Sequence, residues 1–419
     1  MSITCAMVLA FAIVLASQAV SGMAVTLPLY SRASNISGVD LPVTDWFSRT
    51  DNQWYTSLSV GTPPQELTVL FDTGTTVLFL PRSNCTTCPN LTLFNPDKSV
   101  TFSGLPGIEA TFPFPTGADS VPLLRPEEVT CKFVHDTVSL SYGRLKIDGQ
   151  HFALCDKYMG FPDPPARSPI SGIMGMGIRN PSVNETPWFW NLVEDGQLES
   201  PPFSLYIPPH SLAGGQVTLG GVDESKVEGN ITWTSLNAVA SRDLLSYVID
   251  QSNIYADGKV INSNLSDGSP ASVPFGYAIL DTAVPFIQTP RHAVSESIHA
   301  KISPNISQID HTGAWGAPCD QMGSIAPELT FTLGNGAQAL NLTIPKEYFN
   351  LGEFPGIPGT CQTLFNSPTE NSELLYNGTG LWIVGSPLLD KYYTVWDGVD
   401  LRMGWGKLPG MPGFGGIHT

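Results

Sequence analysis

AILDTAVPF, residues 278–286, drives an apolar run straight into Asp281 and Thr282. A carboxylate in such a place needs partners, because burying an unpaired charge is costly. The chain repeats the arrangement: VLFDTGTTVLF, residues 69–79, holds Asp72 and Thr73 in the same frame. The copies stand 281 − 72 = 209 residues apart. Each is followed far downstream by apolar residues closed with Gly, GIMG at 172–175 and WIVG at 382–385. A repeated order of this kind predicts a duplicated β lobe, divided near Trp233–Ser241. The copies diverge after the Asp-Thr pair: Gly74-Thr75 in the first, Ala283-Val284-Pro285 in the second.

Outward from these loops the chain is short apolar or alternating runs such as LTVLF, TVLFL, FSLYI and LTFTL, bounded by Gly, Pro, Asn and Asp. That pattern predicts an all-β fold, with 290–302 as the best helical stretch. A chain of 419 residues, 42% hydrophobic, has material for two large lobes. Its 40 Gly and 36 Pro fit many turns between short strands. The expected organisation is 1–19 signal peptide, 20–45 short pro-segment or N-terminal tail, 46–235 first lobe and 236–419 second lobe.

The leader reading comes from AMVLAFAIVLA followed by small residues around Ser17–Gly22, the shape of an export signal. No later segment is long and apolar enough to span a bilayer, and the C-terminal MPGFGGIHT is not a lipid-anchor tail. Once Cys5 leaves with the leader, six Cys remain, and an even number in an exported chain reads as disulfides. Local pairing is the expectation: Cys85–Cys88, Cys131–Cys155 and Cys319–Cys361. The competing reading of Cys85-Thr-Thr-Cys88 is a redox or zinc motif, which no second CxxC or His cluster supports. Nine N-x-Ser/Thr sites, at Asn35, Asn84, Asn90, Asn184, Asn230, Asn264, Asn305, Asn341 and Asn377, predict a glycoprotein. The formal charge of −17, without a basic stripe, argues against nucleic acid as a partner. With only 20 Lys and Arg, little positive charge remains to repel itself once the carboxylates are protonated, which suits acid conditions.

A single Asp-Thr after a strand is usually a turn, and Asp136-Thr137 is read that way. Two copies in matching frames point elsewhere. Facing each other across a pseudo-two-fold axis, the carboxylates of Asp72 and Asp281 would approach to roughly 3 Å and could not both ionise. They would share one proton. One member then accepts a proton from water while the other donates to a carbonyl oxygen. There is no H-E-x-x-H and no G-x-S-x-G. A glycosidase also uses two carboxylates, so the chemistry alone leaves amide and glycoside open.

The residues themselves resemble the pepsin-like aspartic proteases from about Trp54 to Gly406. SLSVGTPPQELTVLFDTGTT and FNPDKSVTF carry the resemblance in the first half; AILDTA, APCD at 317–320 and WIVGSPLLDKYYTVWD carry it in the second. It implies a bilobal fold with the active-site cleft between the lobes, Asp72 and Asp281 as the catalytic pair, and Thr73, Gly74, Thr75, Thr282 and Ala283 as support. It implies polypeptide substrates, hydrolysis without metal or cofactor, secretion and a monomer with no membrane anchor. A β-hairpin flap would cover the substrate. Ser141-Tyr142-Gly143 has the family's Tyr-Gly look but follows DTVSL, so ATFPFPTGADS at 110–120 is taken as the flap. The family's flap Tyr then falls on Phe114, followed by Pro115, Thr116 and Gly117, and its partner Trp on Phe79. An aromatic contact between Phe79 and Phe114 is expected to replace the missing hydrogen bond. Phe79, Phe114 and Ile173 would wall a pocket for bulky apolar residues, with Thr116 and Gly117 beside them. The family's hydroxyl after Asp-Thr-Gly is present as Thr75 and absent at Val284, so Asp281 is expected to hold its proton more tightly. Residues 20–45 hold one basic residue, Arg32, where the family's pro-segments are longer and more basic. Phe114, Ala283 and Val284 also motivate an alternative, a pepsin-fold glycoprotein that binds without cleaving.

Overall fold

The computed structural model describes residues 25–31 and 54–411, apart from 89–90, 105–106, 108, 115–126, 141–144, 160–170, 180–186, 199, 209–212, 263–275, 312, 355 and 369–371. The leader, Thr116, Gly117, Tyr142 and the sequons at Asn35, Asn90, Asn184 and Asn264 lie outside the described residues.

Each Asp-Thr loop is built the same way. Strand Gln65–Asp72 runs parallel to Gly172–Gly175, which also pairs antiparallel with Leu78–Pro81. In the second half, Gly276–Leu280 runs parallel to Thr379–Val384, which pairs antiparallel with Ile287–Gln288. The apolar-Gly strand thus threads between the strands that enter and leave each loop. The closing glycines are steric requirements. A Cβ on Gly175 would fall 2.4 Å from the Val77 nitrogen, and one on Gly385 would fall 1.9 Å from the Val284 oxygen. GIMG and WIVG are largely buried and read as continuous apolar runs rather than alternating ones.

The strands form sheets of 14, 9 and 4 members among the described residues, in a bilobal architecture. It is mixed rather than all-β, because five α-helices of four to eleven residues punctuate the described residues. The expected stretch 290–302 forms helix His292–Ile302, starting after Pro290 with Arg291 extended. Helix Trp188–Glu194 is the instructive addition. WFWNLVE is rich in aromatics that favour strands, yet it buries Trp188, Phe189, Trp190 and Leu192 as a helix wedged into the core.

Six neighbouring strands of the largest sheet join the halves: Glu228–Ser235, Arg402–Lys407, Tyr392–Asp397, Phe203–Tyr206, Ala213–Leu219 and Val25–Ser31. The strands Tyr392–Asp397 and Arg402–Lys407 therefore return to the first half instead of completing the second. Within the stretch 20–45, which shows no period, Val25–Ser31 is a paired strand matched to Ala213–Leu219 and Trp54–Tyr55.

All three local disulfides are present. Asp136-Thr137 is not a turn. It lies within the continuous strand Glu127–Leu140, at a register shift. The buried Asp136 accepts there from the Thr137 amide and the Thr101 hydroxyl. Among the described sequons, Asn84, Asn230, Asn305 and Asn377 are exposed. Asn341 is buried and accepts from the Thr332 hydroxyl across the ladder. No helix among the described residues is long and apolar enough to cross a membrane.

Candidate active site

The two loops lock together through their threonines. The Thr73 amide donates to Thr282 Oγ1 at 3.2 Å, and that hydroxyl donates to the Phe71 carbonyl at 2.7 Å. The Thr282 amide donates to Thr73 Oγ1 at 3.1 Å, and that hydroxyl donates to the Leu280 carbonyl at 2.9 Å. Both hydroxyls are saturated and buried. Four bonds across a sequence separation of about two hundred residues hold the carboxylates in register, and no local interaction could do so. Ser246, unremarked in the sequence, adds a brace: its hydroxyl donates to the Gly74 carbonyl at 3.2 Å.

This grip brings Asp72 and Asp281 together. They are hydrogen-bonded to each other, and both are buried. Asp72 Oδ1 accepts from the Gly74 amide at 2.7 Å, and Asp281 Oδ1 from the Ala283 amide at 2.9 Å. Burial and the charge of Asp281 hold the Asp72 carboxyl well above the usual carboxylate range, against the pull of the Gly74 and Thr75 amides. Burial pushes Asp281 up to about 6, with the Ala283 amide and the bond to Asp72 acting the other way. The pair therefore keeps a proton well above the pH at which an exposed carboxyl would lose it. A water against such a pair has a base on one side and an acid on the other.

The departures in sequence find concrete explanations. Asp281 leans against Gly74, where an added Cβ would fall 2.3 Å from Asp281 Oδ2. A larger residue at 74 would therefore push the Asp281 carboxylate from its place. Ala283 is not among the residues with positive φ, so its Cβ brings no backbone strain, and its amide still reaches Asp281. Thr75 supports Asp72 through its amide, while its hydroxyl accepts from the Val77 amide at 3.5 Å. The hydroxyl missing at Val284 is thus not what holds the carboxylate in the first loop.

Phe79 is buried, and the Phe112 ring meets it edge-on at 5.2 Å. The backbone of Phe114 ends the strand Ala110–Phe114, and its side chain lies outside the described residues. Phe112 was not singled out in the sequence; it stands two positions before Phe114 in ATFPF, and in a strand such positions share a face. Ile173 is half-buried and packs with Phe79 and Phe112 in one cluster.

A family model described as Eukaryotic aspartyl protease matches residues 53–408. The chain is 29% identical to Pepsin B of Canis lupus familiaris over 85% of its length and 81% of that protein. It is 30% identical to Gastricsin of Homo sapiens, over 87% and 84% respectively, and 28% identical to Cathepsin E of Aquarana catesbeiana, over 85% and 79%.

Proposed function

The chain belongs to the eukaryotic aspartyl protease family, and from that premise we propose that it is an aspartic endopeptidase in which Asp72 and Asp281 activate one water against a peptide carbonyl. Homology supports the peptidase activity. The observation that carries the finer reading is the buried, hydrogen-bonded carboxylate pair held by the reciprocal Thr73–Thr282 bonds. The reaction needs the pair with one proton, so the raised proton affinities favour activity in acid and its loss as pH rises through the upper titration. The substrate is an unfolded or extended polypeptide lying between the lobes, with bulky apolar residues at the cut, favoured by Phe112 and Ile173 beside the loop. A binding module without hydrolysis rested on Phe114, Ala283 and Val284. The unstrained Ala283 and its intact amide bond take away the part of that motive that rested on Ala283.

The test is cleavage of an unfolded protein from pH 2 to 7, with Asp72→Asn and Asp281→Asn as controls. Each variant is expected to lose at least about a thousandfold in kcat/KM, about 4 kcal/mol of transition-state stabilisation. No cleavage by the wild type at any pH, or full activity in either variant, overturns the reading.

We further read the protein as secreted, monomeric and glycosylated. Mass spectrometry of material made in a glycosylating host is expected to find glycans among Asn84, Asn230, Asn305 and Asn377 and none on Asn341. A glycan at Asn341 cannot fit its buried place in strand Leu340–Ile344.

A further inference from the structure

Strand Ala110–Phe114 pairs with the start of Glu127–Leu140, from Ala110 opposite Cys131 to Phe114 opposite Glu127. Two strands alone would make a marginal hairpin in water, but here there are three. Strand Leu145–Met159 pairs along the other edge of Glu127–Leu140 to its outer end, through Thr130 opposite Lys157, Val129 opposite Tyr158 and Glu128 opposite Met159. The ladder shifts register twice, and the shift nearer its outer end is the one beside Ala110–Phe114. Between Thr130 and Cys131 the register shifts, and at a bulge the regular bonding is interrupted. The Cys131–Cys155 disulfide stands at that row, where Cys131 faces Ala110 on one side and Cys155 on the other.

The bridge is also the floor of an apolar cluster. Phe79, Val129, Cys131, Ala153 and Cys155 are buried together, and Phe112 packs over them. Phe112 meets Phe79 at 5.2 Å and Phe133 at 5.8 Å, both edge-on. Phe79 pairs with Ile173 in Gly172–Gly175, whose Gly175 lies opposite Asp72. A side chain seated on Phe79 is therefore one strand removed from the carboxylate loop. The other two disulfides have no such position: Cys85–Cys88 closes a surface turn, and Cys319–Cys361 ties helix Cys319–Ile325 to strand Thr360–Thr363.

We propose that Cys131 and Cys155 are a positioning pair: their bridge carries the hairpin across the bulge and seats Phe112 on Phe79, so that Ala110–Phe114 and Glu127–Cys131 form a standing wall beside the carboxylate pair. The proposal rests on the peptidase reading above for its kinetic consequence, though not for its structural one. A wall that is ordered before the substrate arrives spares the cost of ordering it during binding. Without the bridge, that cost falls on binding rather than on the chemical step.

The experiment compares Cys131→Ala/Cys155→Ala with Cys319→Ala/Cys361→Ala, using hydrogen exchange of the substrate-free protein and steady-state cleavage of an unfolded protein. The first variant is expected to lose amide protection in 110–114 and 127–131 and to raise KM roughly five- to tenfold, with kcat within about twofold. The control is expected to change neither. Phe112→Ala, which leaves every disulfide intact, should reproduce the KM rise, and it stands in if the first variant does not fold. Unchanged protection and KM in the Cys131/Cys155 variant, or an even loss of protection across the chain with KM unchanged, overturns the proposal. So does an unchanged KM in Phe112→Ala. If the wild type cleaves nothing, the peptidase reading falls, and the exchange data alone decide whether the bridge holds the wall.

Discussion

The two Asp-Thr loops share a frame and differ in crowding. Both sit at the end of a strand paired in parallel with an apolar-Gly strand, and both threonines bond across to the partner loop in the same way. Beyond the threonines the symmetry stops. Asp281 presses on position 74 so closely that a Cβ there would displace its carboxylate, while position 283 holds an Ala without backbone strain. Duplication thus fixed what both loops must do together, and each loop kept only the constraints that its own neighbours impose.

The sharpest way to break this comparison is to exchange the two positions. Gly74→Ala puts a methyl at 2.3 Å from Asp281 Oδ2 and is expected to lower kcat/KM by about a hundredfold or more. Ala283→Gly is expected to cost only about 1 kcal/mol of stability, from the added freedom of the unfolded chain. Equal losses in a kinetic and thermal comparison would show that the crowding argument is wrong.

The shared half of the comparison is tested by Thr73→Val and Thr282→Val. Each removes a hydroxyl that both accepts an amide and donates to a carbonyl, so each strands two buried groups. A loss of about 2–4 kcal/mol in denaturant unfolding is expected for either, equal within about 1 kcal/mol. The double variant should lose less than the sum of the two, since the four bonds form one network.

A third test uses pH. Asp72, Asp281 and Asp390 all have raised proton affinities from burial, Asp281 to about 6 and Asp390 to about 7. Between an unfolded value of about 4 and these folded values, the folded chain binds more protons than the unfolded one. Stability is therefore full in acid and falls as pH rises through the folded values. Asp390 lies outside the loops, beside the buried Lys391, whose ammonium sits 3.4 Å from the centre of the Tyr348 ring. Asp390→Asn is expected to flatten the fall in Tm between about pH 4 and 7 while leaving the pH profile of kcat in place. A shift of that profile would mean that Asp390 titrates with the loop pair.

The smallest effect belongs to Val284→Thr. Thr75 reaches Asp72 with its amide rather than its hydroxyl. A hydroxyl at 284 is therefore expected to move the acid limb of the pH profile by no more than a few tenths of a unit. A larger downward shift would restore the hydroxyl to the account of both loops.

Much of this was legible in the sequence, and for one reason. Asp72, Thr73, Asp281, Thr282 and the two apolar-Gly strands recur in a fixed order, and a repeated pattern can be read without coordinates. The three disulfides were legible because each joins two cysteines that follow one another in the chain. Phe112 was not, since its contact with Phe79 is made by packing between segments far apart in the chain. Nor was the bulge at Thr130–Cys131, which leaves no mark in composition.

The sequence by itself determined the paired loops, because carboxylates at the ends of buried strands admit few partners and the chain carries two of them in one frame. Only the tertiary structure decided that Asp281 crowds position 74, that Phe112 packs on Phe79, and that the strands within 392–407 return to the first half. Those outcomes depend on distances between segments far apart in the chain, and a sequence encodes them only through the packing of the whole.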